Sequence, residues 1–281
     1  MSIIIKLREY LNRPLSFVMF LLIIISTVIT ALTVVFIIGY IFIKGVPNLS
    51  LDLFSLKYSS SNQSMLPSII NTVYLTALTL LLAVPIGIFS AIYLAEYSRK
   101  NSFFVKIINI ANETLSGIPS IVYGLFGFLA FVISKKWGYS LLAGVVTLAI
   151  MVLPLIIRTS QEAMLGVDNT FREASYGLGA GKLRTVFKIV LPSAMPGILS
   201  GIILAIGRIV GETAALIYTA GTVPEAATKL TSSSRTISVH LYCLLNEGLY
   251  TEQAYATAVV LIVFVVIINA LSNALAKKIM K

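Results

Sequence analysis

The chain has 281 residues, of which 58% are hydrophobic and 11% charged, and its net charge is +10. A soluble globular domain carries about 25% charged residues, so this composition excludes an ordinary water-soluble fold and points to a membrane protein. The one cysteine, Cys243, excludes an intramolecular disulfide framework. With the one histidine, His240, it is too sparse for a metal site unless carboxylates converge from elsewhere; both are read as structural residues.

In chain order, six apolar segments meet the length of a spanning helix: residues 15–43, 66–94, 114–134, 138–157, 196–220 and 253–276. The fold class expected is all-α, a polytopic bundle of six transmembrane helices. The uncharged first run is too long for the apolar core of a signal peptide, so it is read as a retained span. It forms a unit of 1–65 with the N-terminal segment and the following loop, and 66–281 forms the remaining five-span core. Pro85, Gly87, Pro119 and Pro154 interrupt the spans, as helices packed round a pathway allow.

With the N-terminus in the cytoplasm, that side holds Lys6, Arg8, Arg13, Arg99, Lys100, Lys106, Arg158, Arg172, Lys182, Arg184, Lys188, Lys277, Lys278 and Lys281. The opposite side holds only Lys44, Lys57, Lys135, Lys136, Lys229 and Arg235. The asymmetry follows the positive-inside rule, so both termini are expected to be cytoplasmic. The basic charge is a topological rim rather than a nucleic-acid surface, because no basic stripe is interleaved with aromatic residues.

Two connecting segments stand out: a cytoplasmic loop at 158–195 and an outer, Ser/Thr-rich loop at 221–252. The first contains Gly177-Leu178-Gly179-Ala180-Gly181-Lys182, which at a glance could cradle a phosphate. A P-loop requires glycine five residues before Gly181 and Ser or Thr after Lys182; the chain has Tyr176 and Leu183. The glycines are spaced G-x-G-x-G and do not match the dinucleotide fingerprint either.

The stretch instead reads as two short amphipathic helices joined at glycines, the first capped by Asp168 or Asn169. Leu183, Val186, Phe187 and Val190 fall on one apolar face of the second. Pro192 is expected to stop that helix and Pro196 to open the fifth span. Small residues Ala174 and Ser175 beside Glu173 leave room for a partner surface.

Within the fifth span, Gly197, Gly201, Ala205, Arg208 and Glu212 recur at helical spacing and are expected on one face, with Gly197/Gly201 and Gly207/Gly211 as close-packing pairs. Arg208 lies roughly 18 Å along the helix from Pro196 at 1.5 Å per residue. An isolated charge at that depth costs at least about 2.5 to 3.5 kcal/mol. Either Arg208 presents a guanidinium fork to an oxyanion while Glu212 neutralises it between events, or the two form an inter-helix salt bridge. Glu113, near the inner end of the third span, is a third candidate.

Glu173-Ala174-Ser175, three residues, Gly179, nine residues, then Ile189-x-Leu191-Pro192 resembles the EAA motif of the membrane subunits of ABC importers, with serine at the last small position. Asn71-Thr-Val-Tyr-Leu-Thr, Ala91-Ile-Tyr-Leu-Ala-Glu-Tyr, Glu113-Thr-Leu-Ser-Gly-Ile-Pro-Ser and Gly207-Arg-Ile-Val-Gly-Glu-Thr resemble the phosphate permease subunits of the PstA type. The resemblance implies the type I (MetI-like) permease fold. It places Glu173, Ala174, Ser175, Gly179, Leu191 and Pro192 in a coupling loop that docks on an ATPase, and Arg208 and Glu212 on the phosphate route.

The implied partners are a homologous second permease (PstC type), two ATP-binding subunits (PstB type), an extracytoplasmic phosphate-binding protein (PstS type) and membrane lipid. The chain would bind no cofactor itself and catalyse nothing, ATP and Mg being used by the partner ATPase. A permease for another oxyanion, such as molybdate or sulfate, is the alternative. An intramembrane enzyme would need nucleophiles or metal ligands clustered at one depth, and a gated channel would need no docking loop.

Overall fold

Long uncharged runs of Leu, Ile, Val and Ala satisfy their backbone groups inside a bilayer only as helices. In the computed structural model, which describes residues 14–98 and 102–279, every regular element among the described residues is helical. Lys6, Arg8, Arg13, Arg99, Lys100 and Lys281 lie outside the described residues.

Helix α1 is Pro14–Gly45 and α2 is Leu66–Ile92, continued by a widened π turn at Tyr93–Tyr97. Next come α3, Phe103–Ser116, and α4, Ser120–Gly127, continued by a second π turn at Phe128–Ser134. Helix α5 is Leu141–Leu165, α6 is Asn169–Gly177, and α7 is Lys182–Thr185. After a third π turn at Val186–Val190, α8 is Leu191–Val210. Helices α9, Ala214–Thr219, α10, Ile237–Glu247, and α11, Thr251–Ile279, complete the chain.

Five of these runs are long and apolar enough to cross a membrane, and a sixth crossing exists only if the bent pair α3–α4 is counted as one. The expected third span, 114–134, is therefore corrected: the chain turns by 101° between Val105–Ser116 and Ser120–Ser134. The physical cause is local. Gly117 ends α3 and Pro119, which has no N–H to continue the ladder, stands as the cap of α4.

The bundle is built around α5, whose Leu148, Met151, Val152 and Ile156 are buried. Helices α2 and α8 pack on either side of it, with α4 and α9 at its start and α3 beside its second half. Close approach of α8 depends on glycine. A Cβ on Gly197 would lie 2.6 Å from Ala163 Cβ, and one on Gly201 would lie 2.6 Å from Thr159 Cβ. Helix α11 packs on α8, α10 and α1, and α1, otherwise exposed, meets it through Tyr40 and Tyr255, ring centroids 5.9 Å apart.

Helix α6 marks one end of the bundle, the loop end; residues 221–236 strap the far end. The strap accepts hydrogen bonds from the first free amides of α5, Leu141 N to Ser232 O and Leu142 N to Leu230 O at 2.9 Å each. Asn71 of α2 ties it down, donating to Glu225 O and accepting from Ala227 N. His240 is sealed in this region with its ring 6.4 Å from that of Tyr58. Burial, and then the charge of Arg235, push its pKa down to about 3. Cys243 is half-buried and free.

Candidate functional site

The loop-end element is organised by Asp168, which caps α6 by accepting from Thr170 N at 2.9 Å and the Thr170 hydroxyl at 3.0 Å. These bonds, the amide first, hold its carboxyl below the usual aspartate range. One turn on, Arg172 is clamped from three sides. Its Nη2 lies 2.6 Å from Glu96 Oε1 in the π turn after α2 and donates to Met164 O at 2.8 Å. Its Nη1 donates to Val167 O at 2.7 Å. Helix α6 is thus fastened to the ends of both α2 and α5.

The motif residues divide between surface and interior. Glu173 and Ala174 are exposed, whereas Ser175 is buried and its hydroxyl lies 2.8 Å from that of Thr185, tying α6 to α7. Gly179 adopts φ +80° with nothing within 4 Å of where a Cβ would stand, so the backbone conformation, not space, calls for glycine. Phe171, Tyr176 and Leu183 are exposed and Leu178 is 90% exposed, which presents an apolar surface around Glu173.

The expectation that Pro192 stops one helix and Pro196 opens another is not met: Lys182–Val210 is a single helical run. The widened turn at Val186–Val190 immediately precedes Pro192 and takes up the missing amide and the ring's clash with the preceding turn. The same extra residue per turn rotates the side chains. Val186 and Val190 are buried, while Leu183 and Phe187 remain exposed, so the four do not form one face. Leu191 packs partly buried against the Val186, Val190 and Ile198 cluster, and Pro192 is exposed.

Arg208 is two residues before the end of α8 and partly exposed. It makes no hydrogen bond or ion pair with any described residue; the ion pairs among the described residues are Arg158–Glu162 and Arg172–Glu96. The Arg208–Glu212 pairing that both readings assumed is therefore not formed among the described residues. Gly211 terminates α8 and Glu212 lies beyond it, buried. Its Oε1 accepts from Ala215 N at 3.0 Å and its carbonyl accepts from the Ser238 hydroxyl at 2.6 Å, so the carboxylate caps α9. Gly207 has open space where a side chain would be, and only the Gly197/Gly201 pair packs closely.

Arg208 opens on a groove of about 970 Å³ floored by α5 and walled by α8 and α11. From Gly197 to Arg208 it follows α8 for roughly 16 Å at 1.5 Å per residue. Its polar lining includes Thr159, Ser200, Asn269, Asn273 and, toward the loop end, Glu162. Glu113 is not in this groove. It lies exposed on α3 in a separate cleft of about 180 Å³ with Asn109, Asn112 and Arg158.

Four residues of consequence escaped the sequence. Glu96 and Arg172 are visible only as charges at helix ends, and their pairing across the chain requires the fold. Asn269 and Asn273 carry a signal, two amides one turn apart in an apolar helix, but nothing in the sequence says which neighbour they face. Among the described residues, no three His, Cys, Asp or Glu side chains converge.

A family model described as "Binding-protein-dependent transport system inner membrane component" matches residues 83–281. A Bacillus subtilis protein described as a probable ABC transporter permease, YqgI, is 32% identical over 82% of this chain and 84% of its own length. The phosphate transport system permease protein PstA of Haemophilus influenzae is 36% identical over 76% of each.

Among solved structures, a bacterial ABC transporter involved in alginate import superposes with a TM-score of 0.67 at 18% identity, covering 98% of this chain and 99% of that one. A permease chain of the inward-facing MetNI methionine ABC transporter superposes at 0.58 with 17% identity, over 76% and 94%. At such identities the likeness is one of fold, that of the type I ABC importer permeases. The chain belongs to the family of binding-protein-dependent transport system inner membrane components, the permease subunits of ABC transporters.

Proposed function

We propose that the chain is the membrane-spanning permease subunit of an ATP-driven importer for inorganic phosphate, moving the anion by alternating access and catalysing no reaction itself. The observation that carries this reading is Arg208, a guanidinium that neither hydrogen-bonds nor ion-pairs with any described residue, opening on a groove between spanning helices. A fork of N–H donors matches a tetrahedral oxyanion. The PstA name of relatives at 33–36% identity over most of the chain supports phosphate over molybdate or sulfate.

In this reading Glu173, Ala174 and the exposed apolar residues of α6 face a PstB-type ATPase, which binds ATP and Mg. A PstC-type second permease covers the open side of the groove, and a PstS-type binding protein delivers phosphate at the far end. The loop end faces the cytoplasm, in keeping with Arg158, Arg172, Lys182, Arg184, Lys188, Lys277 and Lys278 gathered there. The test is uptake of labelled phosphate in a strain lacking its own high-affinity system, with and without this chain and its partners. Uptake that excess sulfate and molybdate do not compete is expected; uptake abolished by either competitor would overturn the assignment.

A further inference from the structure

The groove contains more polar chemistry than a single arginine requires. Asn269 and Asn273 stand one turn apart on α11 and both line it, facing the wall of α8 that carries Ser200 and Arg208. Neither carboxamide, nor the Ser200 hydroxyl, hydrogen-bonds any described residue. Asn269 is partly exposed and Asn273 and Ser200 are exposed along the groove, so their donors are available to a passing group. Amides that served to hold this chain's own helices together would already be bonded within it.

Their chemistry complements that of Arg208. A carboxamide offers two N–H donors without a charge, so it can hold an oxyanion more weakly than a guanidinium does. A transport route needs that gradation, because a site strong enough to capture an anion must be followed by sites weak enough to release it. The mouth of the groove is treated in the same way. Glu162, which would repel an anion there, is paired with Arg158 Nε at 2.9 Å.

We propose that Asn269 and Asn273, with Ser200, form a neutral relay that takes a tetrahedral oxyanion from Arg208 toward the loop end, and that Arg158 keeps Glu162 from closing the exit electrostatically. The relay rests on the reading of the chain as an oxyanion permease. It adds specificity-determining residues on α11 and at the foot of α5.

The test uses the complete importer in proteoliposomes, with radiolabelled inorganic phosphate and ATP hydrolysis measured together. Asn269→Asp and Asn273→Asp are expected to co-purify with all partners and to retain ATPase stimulation by the loaded binding protein. Phosphate moved per ATP should fall about tenfold or more, because a fixed like charge beside the route repels the anion at low effective dielectric. Asn273→Ser, which keeps a donor, should stay within about threefold of the parent. Arg158→Gln should lower the ratio by unmasking Glu162, and adding Glu162→Gln should restore it, a rescue that a packing role does not produce.

Loss of co-purification in the Asp variants would overturn the relay, since the amides would then bond the second permease. A parental phosphate-to-ATP ratio in those variants would overturn it as well. Arg208→Ala separates the two levels. If it transports normally, the oxyanion reading itself fails; if it is inactive while the Asp variants are unimpaired, only the relay fails.

Discussion

Removing the Arg172 guanidinium tests how α6 is fastened to the bundle. In the clamp, Arg172 and Glu96 side chains are 13% and 6% exposed, so the pair is largely desolvated. Arg172→Ala deletes the pair and the bonds to Met164 O and Val167 O, and strands a carboxylate away from water. Removing one partner of a buried pair costs about 3–5 kcal/mol. Glu96→Gln also leaves a desolvated charge, that of Arg172, but keeps an acceptor beside it and its bonds to Met164 O and Val167 O, so its cost falls below that range. At a factor of ten for each 1.4 kcal/mol, the arginine variant should populate an undocked α6 roughly a hundredfold or more above the parent. The assay is limited proteolysis of the loop in membranes alongside phosphate uptake. Arg172→Ala should be cut rapidly and transport poorly, with Glu96→Gln much closer to the parent. Equal effects of the two substitutions would refute the tether to α5, as would full recovery by the charge swap of Glu96→Arg with Arg172→Glu.

Glu173→Lys should insert and fold normally, because Glu173 is exposed and makes no bond with any described residue, yet lose uptake; wild-type uptake would remove Glu173 from the ATPase contact. Gly179→Val forces a β-branched residue to φ +80°, a strain of about 1–2 kcal/mol or more, and should loosen the loop to protease while Gly179→Asn is milder. Gly201→Leu should drive α8 off Thr159 and lower the folded yield, whereas Gly207→Leu meets open space and should fold but obstruct the groove, a difference read by yield against uptake. His240 takes up a proton near pH 6.5 when unfolded and only near 3 when folded. Protons therefore favour the unfolded chain as pH falls from 6.5 toward 3, by about 2 kcal/mol at pH 5. Thermal unfolding of the parent should show this acid loss and His240→Leu should flatten it.

The spans away from turns were legible because hydropathy and length alone define them, and the cap at Asp168 was legible because capping is a local exchange between a side chain and the next amides. What failed depended on geometry that a fixed period of 3.6 residues does not contain. In the run 114–134 Pro119 signals an interruption, but Pro85 and Pro154 interrupt their spans without ending the helix, so the sequence does not say that Gly117 and Pro119 together turn the chain by 101°. Pro192 is a breaker in a regular helix but not after a π turn, and that one widened turn also swung Leu183 and Phe187 away from Val186 and Val190. Glu212 sat on the expected face only while α8 was taken to continue; once it ends at Gly211, capping gives the carboxylate a nearer donor than Arg208.

The break after α8 also decides what is joined to what. Lys182–Val210 spans roughly 43 Å at 1.5 Å per residue, and it joins the loop end to Arg208 without a loop between them. The run is continuous but not uniform: the π turn at Val186–Val190, Pro192 and Pro196 already lack regular ladder bonds near its loop end, so bending is cheapest there and dearest between Gly197 and Val210. The first non-helical residues come just past Arg208, at Gly211 to Thr213. Beyond them Glu212 is fixed to α9 by Ala215 N and to α10 by the Ser238 hydroxyl, and α10 is joined to α2 where Ile237 N meets the Thr72 hydroxyl at 3.0 Å. Arg208 therefore belongs to the helical run that starts at Lys182, whereas Glu212 is held by the far-end scaffold. A salt bridge between Arg208 and Glu212 would tie that run to the scaffold; among the described residues none is formed.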